Sequence, residues 1–223
     1  MRNISALRIG ALIAAVCVCA PGQDTPAKEA QKEAPSDTKG LPPRATPGDY
    51  QAHGKAGAAT IGAEFKGHAI PTMQGTLTTE DYVIVEIGMF GAPDARLQLV
   101  LGDFSLRING KKPLESQPYG LVIRNVKDPE YEPPAAQKSK TSLGGGGQGG
   151  AGDPPPSPPP IPIGVQRAMA QRVQKSALPE GDRPLPQAGL IFFQYRGKSK
   201  GIHSMELMYA GAAGKATIAL QPE

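Results

Sequence analysis

The densest β-branched run in the chain is Tyr-Val-Ile-Val-Glu-Ile-Gly-Met-Phe, at positions 82–90. Val83, Val85, Ile87 and Met89 recur at period two, with Tyr82, Ile84, Glu86 and Phe90 on the opposite face, which predicts a central strand of a sheet. Before it, Thr60-Ile61 and Glu64-Phe65 lie between Gly57 and Gly67 and predict a weak edge strand. Pro71 and Gly75 punctuate a turn ahead of 76–79, which leads into the central run. After it, Gly91-Ala92-Pro93-Asp94 predicts a turn, and Leu97, Leu99 and Leu101 alternate as one further strand. Phe104, Leu106 and Ile108 share a face up to Asn109-Gly110, a dipeptide that favours a type I′ turn because both positions accept positive φ. The chain is expected to reverse there into 111–114, and Leu121-Val122-Ile123 to supply another short strand.

The alternation stops at Asp128. From 128 to 163 the chain is dominated by Pro and Gly, a composition that predicts a disordered excursion, part flexible and part polyproline II. Helical spacing then appears over 164–178, where Val165, Ala168, Met169 and Val173 recur among polar residues until Pro179 ends the run. Strands follow at 190–195, 205–209 and 216–220, separated by turns at 197–201 and 211–214. The predicted class is mainly β: an antiparallel sandwich with one short helix and long disordered segments. Residues 51–127 form its first part and 187–221 its second, both in one fold.

Composition narrows the foldable part. The 223 residues include 28 Gly and 24 Pro, and no Trp, so a single domain of about 100–120 residues is expected. Residues 1–22 carry Arg2 and Arg8, an apolar run over 9–20 and no acid, the arrangement of a secretory signal peptide. A signal anchor is the alternative, although an apolar run this short falls well below the roughly 20 residues of a bilayer span. Both cysteines, Cys17 and Cys19, fall in that leader, so a chain cleaved after them carries no thiol, unless Cys19 is lipidated. Residues 23–50, rich in Ala, Lys, Glu and Pro, predict a disordered linker. Without the two leader arginines the chain has 22 basic against 20 acidic residues. So even a balance argues against nucleic acid as partner.

The runs Tyr82-Val83-Ile84-Val85-Glu86, Gly102 through Lys111, Gly189-Leu190-Ile191-Phe192-Phe193, Met205-Glu206-Leu207 and Ala216 through Leu220 together resemble bacterial exported immunoglobulin-like domains of the telokin-like type. The resemblance implies an extracytoplasmic immunoglobulin-like sandwich, often tethered to an envelope. It carries over no catalytic residue.

Chemistry-bearing residues are sparse. The histidines are His53, His68 and His203, with no HExxH spacing, so a zinc site needs ligands from distant loops, and no metal or cofactor is expected. Glu80-Asp81 and Asp103 stand at strand starts, where calcium ligands can gather, but no spaced acidic loop accompanies them. Ser204 beside His203 is not a triad, since neighbours on a strand face opposite sides. Gly197-Lys198-Ser199 echoes the end of a phosphate loop but has Phe192 at the first glycine position, and reads as a surface turn.

The basic cluster Arg196, Lys198 and Lys200 beside Tyr195 suits an anionic polymer or lipid headgroup, although a solvated hairpin tip that blunts edge pairing is the commoner cause of such a cluster. The Pro/Gly stretch is a tolerated insertion in a loop, a ligand for a polyproline-reading partner or a reach-extending tether. The resulting expectation is an exported, non-enzymatic binding or structural module, periplasmic, envelope-associated or secreted, with a protein or envelope component as partner. It has no transmembrane span after leader cleavage. Tyr119, Tyr195, Arg196, Lys198 and Lys200 are the expected contact surface. An extracytoplasmic enzyme, or its accessory domain, with an unrecognised polar cleft is the alternative.

Overall fold

The computed structural model describes residues 40–131 and 161–222. The expected leader, linker residues 23–39 and the Pro/Gly stretch over 132–160 lie outside the described residues. Chain order gives β1 (Ala52–Ala56), β2 (Ala59–Phe65), β3 (Ala69–Thr72), β4 (Gly75–Thr79), β5 (Tyr82–Phe90), β6 (Arg96–Leu99), β7 (Phe104–Ile108) and β8 (Leu114–Gln117). A short helix α1 (Tyr119–Val122), β9 (Val126–Lys127) and helix α2 (Ile163–Ser176) follow, then β10 (Gly181–Pro184), β11 (Gln187–Gln194), β12 (Met205–Gly211) and β13 (Gly214–Leu220).

Eight of these strands make one sheet in the order β1-β2-β5-β11-β8-β7-β12-β13, beside a β3-β4-β9 sheet and a β10-β6 pair. Every ladder between named strands is antiparallel. The ends of the large sheet come together: Gln51 Nε2 donates to the Gln221 carbonyl at 3.0 Å, and a Cβ on Gly54 of β1 would stand 2.9 Å from Ile218 Cγ1 of β13. The mainly β, antiparallel character matches expectation. The strands run, however, as one barrel-like sheet rather than as two separately ordered layers, because the short β8 pairs β11 on one side and β7 on the other.

β5 is central as predicted, and it is buried on both faces from Tyr82 to Met89. Val83, Val85, Ile87 and Met89 point inward with Ile61, Phe65, Phe104, Leu106, Ile191, Phe193, Leu207 and Ile218. Tyr82 and Ile84 point outward with Leu190 and Phe192 of β11, where they share a second core with Ile70, Leu77, Val122, Val126, Met169 and Val173. Thus α2 and the three-stranded sheet cover the outside of the β5–β11 pair. Arg172 fixes that cover: Nη1 meets Asp128 Oδ2 at 2.6 Å, Nε donates to Thr72 Oγ1 at 3.3 Å and Nη2 to the Gln74 carbonyl at 3.1 Å.

Several local expectations are corrected. Leu121-Val122-Ile123 is not a strand but part of α1 and the 3-10 turn Ile123–Asn125; an apolar run of three fits either period, and only Val122 turns fully into the outer core. The segment between Gly57 and Gly67 is not an edge: β2 pairs β1 on one side and β5 on the other. Its Gly62 sits opposite Gly88 of β5, and the Tyr50 ring occupies the space where both side chains would stand. Two glycines in neighbouring strands thus admit one aromatic ring flat against the backbone. For the same reason the expected linker ends before residue 50, since Tyr50 is buried and Leu41 joins the outer core.

The strand expected through Leu101 ends at Leu99, and Leu101–Asp103 is a 3-10 turn. Asn109 and Gly110 do adopt φ of 52° and 67°, and Lys111 N–H donates to the Ile108 carbonyl at 3.0 Å. Pairing resumes only at Leu106↔Leu114, so residues 111–113 bulge. Finally, β11 and β12 are not neighbours, so 195–204 is a crossover and not a hairpin tip.

Phe192 is 1% exposed on the outer face. Phe192→Ala is expected to lower unfolding free energy by about 3–5 kcal/mol, read by urea titration; a loss under about 1 kcal/mol contradicts the two-core description.

Candidate functional site

Two polar constellations stand on this scaffold. The first lies on the outer face of β2 and β5, where Glu64 and Glu86 sit opposite each other. Arg44 grips Glu86 through Nε at 3.2 Å and Nη2 at 3.0 Å, and the same Nη2 lies 2.5 Å from Glu64 Oε2. Lys66 Nζ completes the set, 2.5 Å from Glu64 and 3.2 Å from Glu86. The guanidinium carbon also rests 4.5 Å from the Tyr50 ring centroid, a cation–π contact. Two cations thus neutralise two carboxylates, so the quartet fastens residues 44–50 to the sheet instead of offering a free charge.

Burial alone would raise the proton affinity of Glu64, but the hydrogen bond and charge of Lys66, with the charge of Arg44, outweigh it and hold the carboxyl below its ordinary range. Burial likewise opposes the Arg44 charge, and Glu86 and Glu64 together raise its proton affinity above the usual value. Burial raises the Tyr50 phenol.

The second constellation is a cleft of about 490 Å³ lined by His68, Thr78, Thr79, Glu80, Arg196, Gly197, Lys198 and Ser199. Backbone bonds join the segments around it: Thr79 N–H donates to the His68 carbonyl at 3.0 Å, and Tyr195 N–H to the Asp81 carbonyl at 2.8 Å. His68 bridges the two sides, with Nδ1 2.7 Å from the Tyr82 carbonyl and Nε2 3.0 Å from the Gly197 carbonyl. Both partners only accept hydrogen bonds, so a neutral imidazole donates to one of the two carbonyls, and the tautomer decides which.

The acids there are also engaged. Glu80 pairs with Lys127 at 2.7 Å, which holds its carboxyl below the usual range. Asp81 pairs with Arg196 Nε at 3.1 Å and accepts from Asn125 Nδ2. Lys198 has no ion-pair partner among the described residues. Thr79 is 1% exposed, and its Oγ1 has no hydrogen-bond partner among the described residues.

The 196–201 segment is held from below by the hairpin turn. Asn109 Nδ2 donates to the Gly201 carbonyl at 2.8 Å, and its Oδ1 accepts from His203 N–H at 2.7 Å and Ser204 N–H at 3.1 Å. The residue that makes the type I′ turn also anchors this crossover.

Of the expected contact residues, Arg196 and Lys198 line the cleft. Tyr195 is half-buried against the inner core, and Lys200 projects from the exposed 3-10 turn Ser199–Gly201. Tyr119 packs on the outer core and does not line the cleft. Glu80, Asp81 and Asp103 do not converge, since Asp103 lies beside Gly211. No group of His, Cys, Asp and Glu suited to a metal ion occurs among the described residues. His68 and Thr79 are additions that charge patterning does not reveal; the signal for His68 is a contact with residue 197 from the far half of the chain.

No family model, curated protein or solved structure matches the chain. No helix among the described residues is long and apolar enough to cross a membrane.

Because Glu64 binds its proton more weakly when folded, its stabilising contribution is complete above its unfolded pKa and is lost as pH falls through the lower folded value. Glu64→Gln is therefore expected to lose stability less steeply than the natural chain on acidification below about pH 4.3, measured by urea midpoints against pH. Equal slopes contradict this role.

Proposed function

We propose that the chain is an exported, non-enzymatic β module that acts as a binding or structural unit at the cell envelope, with the 195–200 segment in its contact surface. The leader pattern over 1–22 supports export. The strand pattern shared with exported immunoglobulin-like domains supports a module of that general kind, built here on a barrel-like sheet.

The observation that carries the reading is the state of the cleft's proton-transfer candidates. Both His68 nitrogens face backbone carbonyls, Glu80 faces Lys127 and Asp81 faces Arg196. General acid–base or nucleophilic chemistry needs one such group free to exchange a proton with a reacting atom. With the imidazole and the carboxylates engaged, the groups left without a side-chain partner among the described residues are the Lys198 ammonium and the Ser199 hydroxyl, and the exposed positive charge there supports recognition. The filled aliphatic interior of the sheet likewise supports a unit that works through its surface.

The test is fractionation of the tagged full chain in a bacterial host, followed by co-sedimentation with envelope fractions. The expected outcome is an extracytoplasmic, leader-cleaved protein whose co-sedimentation falls severalfold in the triple variant Arg196→Ala, Lys198→Ala, Lys200→Ala. Cytoplasmic retention, or substrate turnover abolished by His68→Ala, would overturn the reading.

A further inference from the structure

We infer that His68 is a pH-dependent clasp on the 195–201 segment: as an imidazolium it donates to the Tyr82 and Gly197 carbonyls together, and as a neutral imidazole it lets go of Gly197. The clasp holds the segment whether or not that segment contacts a partner.

The geometry asks for two donors. Nδ1 lies 2.7 Å from the Tyr82 carbonyl oxygen, and Nε2 lies 3.0 Å from that of Gly197. Neither oxygen can donate, and a neutral ring carries one N–H and one lone pair. In the neutral ring, therefore, one lone pair faces a carbonyl oxygen at hydrogen-bond distance, and the two repel. Protonation turns that contact into a second bond, and bonds from a charged donor are roughly twice as strong as neutral ones. Of the two contacts, the one to Gly197 is longer and lies on an exposed crossover that can retreat. The Tyr82 carbonyl is fixed at the start of β5, whose Tyr82 side chain is buried. The neutral ring accordingly keeps its proton on Nδ1 and frees Gly197.

The ionisable groups around the ring are Glu80 and Asp81 ahead of β5, Lys127 of β9, and Tyr195, Arg196 and Lys198 of the crossover. Lys66, two positions before the ring, is turned to Glu64 and Glu86. Glu80 pairs with Lys127 and Asp81 with Arg196, so Lys198 is the one cation of this group left to oppose a charge on the ring. Glu80, Lys127, Arg196 and Lys198 are all exposed, and water screens their fields. The two carbonyls touch the ring directly and decide the balance.

The clasp sits at the middle of the segment. Its ends are fixed by amide hydrogen bonds, which do not titrate: Tyr195 N–H donates to the Asp81 carbonyl at 2.8 Å, and the Asn109 side chain holds Gly201, His203 and Ser204. Losing the Gly197 bond therefore loosens residues 196–200, which carry Arg196, Lys198 and Lys200, while both ends stay in place. Because the charged ring makes the extra bond, the hold is complete on the acid side and is lost as pH rises through the ring's titration.

The test is NMR of the isotope-labelled full chain between about pH 5 and about pH 8, the span in which a histidine changes charge. At the acid end both ring N–H protons of His68 are expected as resolved, slowly exchanging signals, since each lies in a hydrogen bond. At the alkaline end only the Nδ1 proton is expected to remain. Over the same span the protection of the Gly201 and Ile202 amides, corrected for the intrinsic effect of pH on hydrogen exchange, should fall roughly tenfold, the scale of one bond from a charged donor. In His68→Gln, whose side chain has no charge to gain, that protection should stay level. The ring signals are read on the natural chain, so the result does not depend on how the variant folds. A single His68 ring N–H signal at about pH 5, protection that stays level with pH in the natural chain, or an equal fall in His68→Gln overturns the clasp.

Discussion

Everything described rests on the ladder between β5 and β11. Eight residue pairs, from Tyr82↔Gln194 to Met89↔Gln187, join segments separated by the whole of the Pro/Gly stretch. Closing so long a connection costs conformational entropy, but that cost grows only logarithmically with length, each doubling adding about 0.6 kcal/mol. The return is large because both faces of this ladder are covered. Aliphatic side chains close its inner face, and α2 with the β3-β4-β9 sheet closes its outer face. The Arg172–Asp128 pair, with both side chains about 15% exposed, draws together the start of the long connection and the helix α2 that follows it.

The same ladder creates the cleft. β5 starts at Tyr82 opposite Gln194, where β11 ends, so the chain running into β5 and the chain leaving β11 meet at one edge. His68 ties them through the Tyr82 and Gly197 carbonyls, and Asp81 ties them again through Arg196 and the Tyr195 amide. Binding residues on loops held by a rigid sheet are the usual arrangement for recognition. Here the loop is doubly fixed, because the hairpin residue Asn109 supports its far end.

Much of this was legible in the chain, and the reason differs by element. β7, β12 and β13 alternate at period two, β5 and β11 are near-continuous apolar runs buried on both faces, and α2 keeps its 3.6 spacing, so local pattern and final structure agree. β1 has the sequence Ala-His-Gly-Lys-Ala and carries no aliphatic row; it is a strand because β2 templates it. The Gly62–Gly88 pair weakens a strand in isolation and makes sense only once Tyr50 lies over both. Leu121-Val122-Ile123 was too short to set a period. At the cleft, Arg196 and Lys198 announced themselves by charge clustering. His68 did not, since it acts on backbone carbonyls, 129 positions away in the case of Gly197.

The most direct measurement of the central claim is a chain with a protease site placed between Gly144 and Gly147, cleaved under native conditions. If β5 and β11 form one ladder, the two fragments co-elute and unfold together in a single transition. Fragments that separate without denaturant would show that the halves on either side of the Pro/Gly stretch do not share a sheet.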